Sequence, residues 1–324
     1  MSLRRGLAAV GLCLLLVLAV IGTWLLVIRP AADARMLAAH RMAPSAPVPA
    51  DTLTASWLGC TAVLLRAGDD ALMIDPFFTR PPGLLPLLRN GHIAPSEATI
   101  RSWLQRLGIQ RLHAVLVSHS HHDHAMDAGV VARLTGAQLV GSSSTANIGR
   151  GAGLHEARLQ VPEPGETLQL GPFRVRFIES RHAGATGGKP TGDITEPLTP
   201  PARYLDYRQG GTWSILVEHP QASVLHHGSA GYIPGALTDV EADMIFLGAA
   251  LIEDPEAYLQ HVVDAANAKR IVLTHWDDFT RSLDEPLRPM PVVVNLEALF
   301  DTLQARPDLD VKIPVLNQPF PVTP

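Results

Sequence analysis

The chain is poor in cysteine, with only Cys13 and Cys60 in 324 residues. Cys13 lies inside a long apolar run, so no disulfide can form within the remainder of the chain. Cys60 itself reads as a small buried residue on a strand. Only three of the 26 cationic residues are lysine, no block of basic residues occurs, and the formal net charge is -5. That balance argues against nucleic acid as a partner. There is no Gly-rich dinucleotide fingerprint after a strand, no internal repeat and no low-complexity block. What remains beyond the N-terminal segment is roughly 270 residues, enough for one large domain or two small ones.

The long hydrophobic run is at the N-terminus. Residues 6–28, GLAAVGLCLLLVLAVIGTWLLVI, carry no charge and can span a bilayer as a tilted helix. Arg4 and Arg5 place residues 1–5 on the cytoplasmic side, although Arg29 and Arg35 weigh the other way. The alternative is a cleaved signal with an A-x-A site at Ala32-Asp33-Ala34, against which the length of the run argues. The residue before Cys13 is Leu12, so no lipoprotein site is read. Both alternatives export the main domain, to the periplasmic side in a Gram-negative cell. Residues 29–51 are rich in Ala and Pro without a period and read as a linker. The main domain is assigned to 52–324.

Within that domain, Ala62–Arg66 and Ala71–Ile74 read as a hairpin around Gly68-Asp69-Asp70. Helices are expected at 96–107 with Ser96 as cap, 126–134, 255–267, and 295–305 with Asn295 as cap. Further strands are expected at 114–117, 138–140, 158–161, 174–179, 213–218, 223–226 and 270–273. The order suggests an α+β fold with two packed sheets and helices outside. The segment Phe77–Pro95 contains Leu84-Leu85-Pro86-Leu87-Leu88, read as a packed cover ahead of a lipid-binding lip. The loop 184–211, with Tyr204 and Tyr207, reads either as a lid or as a plain surface excursion.

The densest chemistry is His119-Ser120-His121-His122-Asp123-His124, directly after the strand 114–117. On extended backbone His119 and His121 point the same way, and imidazole with carboxylate suits borderline-soft divalent metals, zinc above all. His182 and His275 each follow a strand, where a lone His is more often merely hydrogen-bonded. Their shared placement at strand ends suggests that they converge with the motif.

His119-x-His121-x-Asp123-His124, with His182 and His275 in order behind it, resembles the signature of the metallo-β-lactamase superfamily. Asp75-Pro76-Phe77-Phe78-Thr79-Arg80 is similar to a segment of the branch with N-acylphosphatidylethanolamine-hydrolysing phospholipase D and the ascorbate-phosphate lactonases. The resemblance covers roughly Trp57 to Asp278. It implies a four-layer αββα sandwich, one zinc on His119, His121 and His182, and a second on Asp123, His124 and His275. A bridging water would be the nucleophile, with Asp123 orienting it or accepting its proton. Asp75 is a candidate for fixing an imidazole tautomer, or else caps the turn before Pro76.

The chain departs from that pattern at Ser229, which stands where a bridging Asp is expected. A neutral hydroxyl does not offset the repulsion of two dications. The site then holds one metal or binds the second weakly, or His226, His227 or Asp277 compensates, or hydrolysis is lost. His227 is preferred over His226, and His122 is expected to point away from the metals. The resulting expectation is a membrane-anchored metal-dependent hydrolase acting on a small-molecule or lipid substrate, a phosphodiester or ester with an apolar part. A lactonase on small cyclic esters and a non-enzymatic metal-binding domain are the alternatives.

Overall fold

The computed structural model describes residues 3–44, 47–81, 83, 85–184, 190–290 and 293–323. Parts of several expected features therefore lie outside the described residues: Met1 and Ser2, Ser45 and Ala46 of the linker, Leu84 of the leucine-rich segment, and 185–189 of the loop after His182.

Alternation along the strands explains the layers. Val63, Leu65, Leu72, Ile74, Ala114 and Leu116 face one way and pack against Val175, Phe177, Val224, Met244, Phe246 and Val272. Their neighbours Leu64, Met73 and Val115 face the other way, onto Ile100, Trp103, Leu104 and Val131. On the far side Ile245, Leu247, Ile271 and Leu273 pack with Leu259, Val262, Leu299 and Phe300. A period of two sends successive side chains to opposite faces, so two sheets need three apolar seams. The result is helix, sheet, sheet, helix.

Among the described residues each main sheet has seven strands. In the first, Thr54–Trp57, Val63–Ala67 and Asp70–Ile74 are antiparallel, followed by Ala114–Leu116 and Gln138–Val140 in parallel. In the second, Ala222–His227, Met244–Gly248 and Arg270–Thr274 run parallel. Phe173–Glu179 lies two antiparallel steps from Ala222–His227, and so shares its direction. The carboxyl ends of Asp70–Ile74 and Ala114–Leu116, and those of the second sheet's parallel group, open into the loops that carry the motif residues.

The hairpin and the Ser96 cap form as expected, with Ser96 Oγ accepting from Thr99 N at 3.3 Å. Asn295 precedes the helix Leu296–Gln304 but makes no side-chain capping bond. Thr54–Trp57, Ser143–Gly151, Thr167–Leu170 and Met244–Gly248 were not anticipated. Met244–Gly248 is buried on both faces and reads as a continuous apolar run, which periodicity cannot assign.

Two expectations are corrected. The leucine-rich segment is not a packed cover: Leu85 and Leu88 are 54% and 79% exposed. Residues 29–51 are not an irregular linker throughout, because Arg29–Ala39 is helical and continues directly from Leu3–Thr23 through the π-helical Trp24–Ile28. It docks on the domain. Leu37 is buried among Leu299, Phe300 and Ile313, and Arg29 donates to Val294 O at 2.8 Å. The His40 ring stacks on Phe300, and Met42 N donates to Ile313 O. The helix carries an apolar stretch long enough to cross a membrane, with mean hydropathy 2.8, and its side chains from Val10 to Ile28 are largely exposed.

Because Leu37 is buried in this seam, Leu37→Ala will destabilise the folded protein by about 2–5 kcal/mol, the usual cost of such a truncation in a core. Urea unfolding monitored by tryptophan fluorescence measures it; an unchanged midpoint would mean that the segment is a free tether.

Candidate metal centre

The turn after Ala114–Leu116 is built on Asp75. Its Oδ1 accepts from Ser118 N at 2.7 Å, and its Oδ2 accepts from Ser118 Oγ at 2.6 Å and from Thr61 Oγ1 at 3.1 Å. The same oxygen lies 2.8 Å from His124 Nδ1. That bond leaves His124 Nε2 as the free acceptor, the arrangement by which a carboxylate orients a metal-binding imidazole. Burial pushes the Asp75 carboxyl up, but His124, His226 and Ser118 outweigh it and hold it below its ordinary range. Asp75 therefore does more than cap a turn.

Two donor clusters form side by side, with the His119 and His124 rings 3.8 Å apart. In the first, the ligand atoms of His119, His121 and His182 lie within 4.8 Å of one another, and His119 Nε2 is 3.1 Å from His121 Nδ1. His182 Nδ1 bonds Ala183 O at 2.7 Å, which presents its Nε2. In the second cluster, His275 Nε2 is 3.3 Å from His124 Nε2 and 3.4 Å from Asp123 Oδ2. His124 Nε2 is 3.6 Å from the same Asp123 oxygen. A tetrahedral ion with bonds of about 2.0–2.1 Å has ligand atoms about 3.3–3.4 Å apart, so these donors match a divalent metal in spacing as well as chemistry. Sequence reasoning had not placed Cys60 here, yet its thiol is the fourth member of the second cluster. The sequence puts Cys60 on a strand, whereas it sits in the turn between Thr54–Trp57 and Val63–Ala67, and the only local signal was the preceding Gly59.

Among the described residues, four at the site hold left-handed backbone despite having side chains: Cys60 at φ 49°, Asp75 at φ 47°, Leu251 at φ 61° and His275 at φ 55°. Such conformations cost about 1–3 kcal/mol each and persist where the surroundings impose them.

The residues proposed to stand in for the missing bridge are elsewhere. Ser229 borders the cavity but its Oγ accepts from Ala183 N at 2.9 Å, tying down the loop that bears His182. His226 Nε2 donates to Thr61 O at 2.8 Å. His227, on the opposite face of the strand, bonds Ser214 Oγ through Nδ1 at 2.7 Å and packs on Tyr258. Asp277 pairs with Arg80 at 2.7 Å and accepts from Cys60 N at 2.8 Å, both buried. Sequence reasoning missed Asp127, whose Oδ2 accepts from Phe78 N and Thr79 N at 2.7 Å and pins the segment after Asp75. Burial pushes that carboxyl up to about 7.

Both clusters open on a cavity of about 160 Å³. Tyr204, Phe279, Leu251 and Val293 form its apolar walls. His122 borders it too, with its ring edge-on to Phe77, Tyr204 and Phe279. The described residues 190–211 of the loop are anchored rather than excursive: Ile194 is core, Gln209 O accepts from Ser120 N, and Ala202–Arg203 pairs with His92–Ile93. The two long segments thus meet, but the described leucines of the first do not line the cavity.

Burial holds His121 and His182 at about 4, well under the ordinary 6.5, so both are neutral and able to bind metal at neutral pH. The sign follows: an unfolded chain takes up these protons below 6.5 and the folded one does not. The stability of the metal-free protein will be full above pH 6.5 and will fall as the pH drops towards 4. Urea midpoints across that window should decline less steeply for His182→Gln; parallel curves would overturn the assignment.

The profile of the metallo-beta-lactamase superfamily matches residues 55–289. A UPF0173 metal-dependent hydrolase of Desulforamulus reducens is 23% identical over 236 residues, covering 71% of this chain and 87% of the relative. Igni18, a metallo hydrolase from Ignicoccus hospitalis, has a TM-score of 0.53 at 14% identity, over 83% of this chain and 97% of that one. An isothiocyanate hydrolase from Delia radicum gut bacteria has a TM-score of 0.53 at 12% identity, over 84% and 100%. With its four-layer sandwich and its His and Asp clusters at the strand ends, the chain belongs to the metallo-beta-lactamase superfamily.

Proposed function

We propose that the chain, a metal-dependent hydrolase, cleaves an ester or phosphodiester with an apolar part, at the surface of a membrane that its N-terminal helix anchors. The observation that carries this reading is the meeting of the two donor clusters at the floor of an apolar-walled cavity. His119, His121 and His182, and Asp123, His124 and His275, would hold divalent metal, for which this donor set favours zinc, and that metal would supply an acidified water near neutral pH and a Lewis acid for the scissile oxygen.

The chain's own residues do the rest. Asp123 borders the cavity, where Oδ2 can orient the attacking water and take its proton. Tyr204 also borders it, and burial followed by Asp123 pushes its hydroxyl up to about 12. It therefore remains a hydrogen-bond donor for a substrate oxygen. Phe279, Leu251 and Val293 exclude water and receive the apolar portion. A neighbouring cleft of about 430 Å³ shares His182, Ala183 and Leu251 with the cavity, and Arg181 and Tyr232 line it. It gives room for the part of a substrate that the cavity cannot hold.

The membrane address rests on the docked helix. From Ile28 to the buried Leu37 is nine residues, or about 14 Å along a helix. The domain would then stand close to the bilayer, on the extracytoplasmic side if Arg4 and Arg5 stay inside. Exposed Leu85 and Leu88 suit contact with lipid. A second reading, hydrolysis of small cyclic esters, is favoured by the small volume of the cavity itself.

The test uses full-length zinc-loaded protein with phospholipids, lysophospholipids, esters of graded chain length and soluble lactones. Turnover should rise with apolar length, vanish on chelation, and fall about 10²–10⁴-fold in Asp123→Ala. Turnover of lactones alone, without detergent, would select the second reading; no turnover of any lipid or long-chain ester would sink the first.

A further inference from the structure

The second cluster contains a donor besides Asp123, His124 and His275: the thiol of Cys60. Its Sγ is 4.0 Å from Asp123 Oδ2, and all four ligand atoms lie within 4.8 Å of one another. Cys60 is fully buried. Its backbone is clamped at both ends: its N–H donates to Asp277 Oδ1 at 2.8 Å, and its carbonyl accepts from His275 N at 2.8 Å and Trp57 Nε1 at 2.9 Å. Asp277 is in turn held by Arg80. The preceding Gly59 has φ 91° and no space for a Cβ, which would strike the Arg80 guanidinium. The turn that sets the thiol beside His275 is thus fixed from several directions.

Charge says what the thiol is for. The first cluster is three imidazoles, which bring no negative charge. Ser229 brings none either, so Asp123 alone would face two dications. His226, His227 and Asp277 are committed to other partners. Thiolate is a strong ligand for zinc-like metals, with bonds of about 2.3 Å, and binds by exchanging its proton for the metal.

We propose that Cys60 is the fourth ligand of the second metal position, and that its thiolate supplies the negative charge that a bridging carboxylate at residue 229 would otherwise bring. This rests on the reading of the site as a metal centre. Asp123, His124, His275 and Cys60 then form a mixed sulfur, nitrogen and oxygen set. Cys60 does not line the cavity, so the thiolate closes this position from the interior and leaves the open face to water and substrate.

The experiment strips the full-length protein with a chelator and titrates it with Co²⁺, following absorption and metal content together. Wild type should take two equivalents, and a near-ultraviolet sulfur-to-cobalt charge-transfer band should grow with one of them. His182→Ala, which leaves Cys60 untouched, should lose an equivalent and keep the band. Cys60→Ser should lose the band and bind its second equivalent more than about 100-fold more weakly, beyond the cost of removing an outer hydrogen-bond partner. Adding Ser229→Asp to Cys60→Ser should restore that equivalent without the band. Two equivalents with no band in wild type would overturn the role of Cys60 while leaving the metal centre intact. Absence of any Co²⁺ uptake would overturn the metal centre and this assignment together.

Discussion

The site depends on one buried carboxylate. Asp75 ends a strand in left-handed backbone and accepts from Ser118, Thr61 and His124 at once. Ser118 opens the His119 loop, Thr61 follows Cys60, and His124 belongs to the second cluster. Through Thr61 O the network also reaches His226 of the other sheet. A buried charge is tolerated only when its acceptors are filled, and each partner that fills them is thereby fixed in place. The loops of the two sheets are registered against one another by this shared acceptor, which is what brings donors from distant parts of the chain to within bonding distance of one point.

Electrostatics then constrains what the assembled donors can hold. Two dications about 4 Å apart repel by on the order of 17 kcal/mol at an effective dielectric of about 20. With serine at 229 the compensation must come from another anion within reach. Histidine cannot provide it, and Asp277 is neutralised by Arg80. The same burial that keeps His121 and His182 neutral, and so able to bind metal, makes the inventory of negative groups decisive. The apolar walls strengthen every charge interaction in the cavity by excluding water.

The docked helix ties the apolar N-terminal stretch to the domain that carries this chemistry. Arg29–Ala39 is packed by Leu37 and bonded through Arg29, so the apolar stretch before it and the sandwich are joined by continuous helix. An Ala- and Pro-rich segment reads as a linker because its composition lacks a long apolar face. Two buried positions, Asp33 and Leu37, suffice to seat it once Phe300 and Ile313 are in place.

The sequence by itself determined the His-x-His-x-Asp-His turn, the strand before it, the hairpin with its Gly-Asp turn and the Ser96 cap, because each is specified by neighbours along the chain. It also marked His182 and His275, by their position after strands, and the absence of a carboxylate at 229. Only tertiary structure decided the strand Met244–Gly248, whose burial on both faces erases its period, and the seating of Arg29–Ala39. It alone decided that Asp277 clamps Cys60 while Ser229 tethers the His182 loop, and that the thiol of Cys60 faces Asp123. These are contacts between residues up to 217 positions apart. Their geometry is set by the packing of two sheets and a buried carboxylate, and no local pattern encodes it.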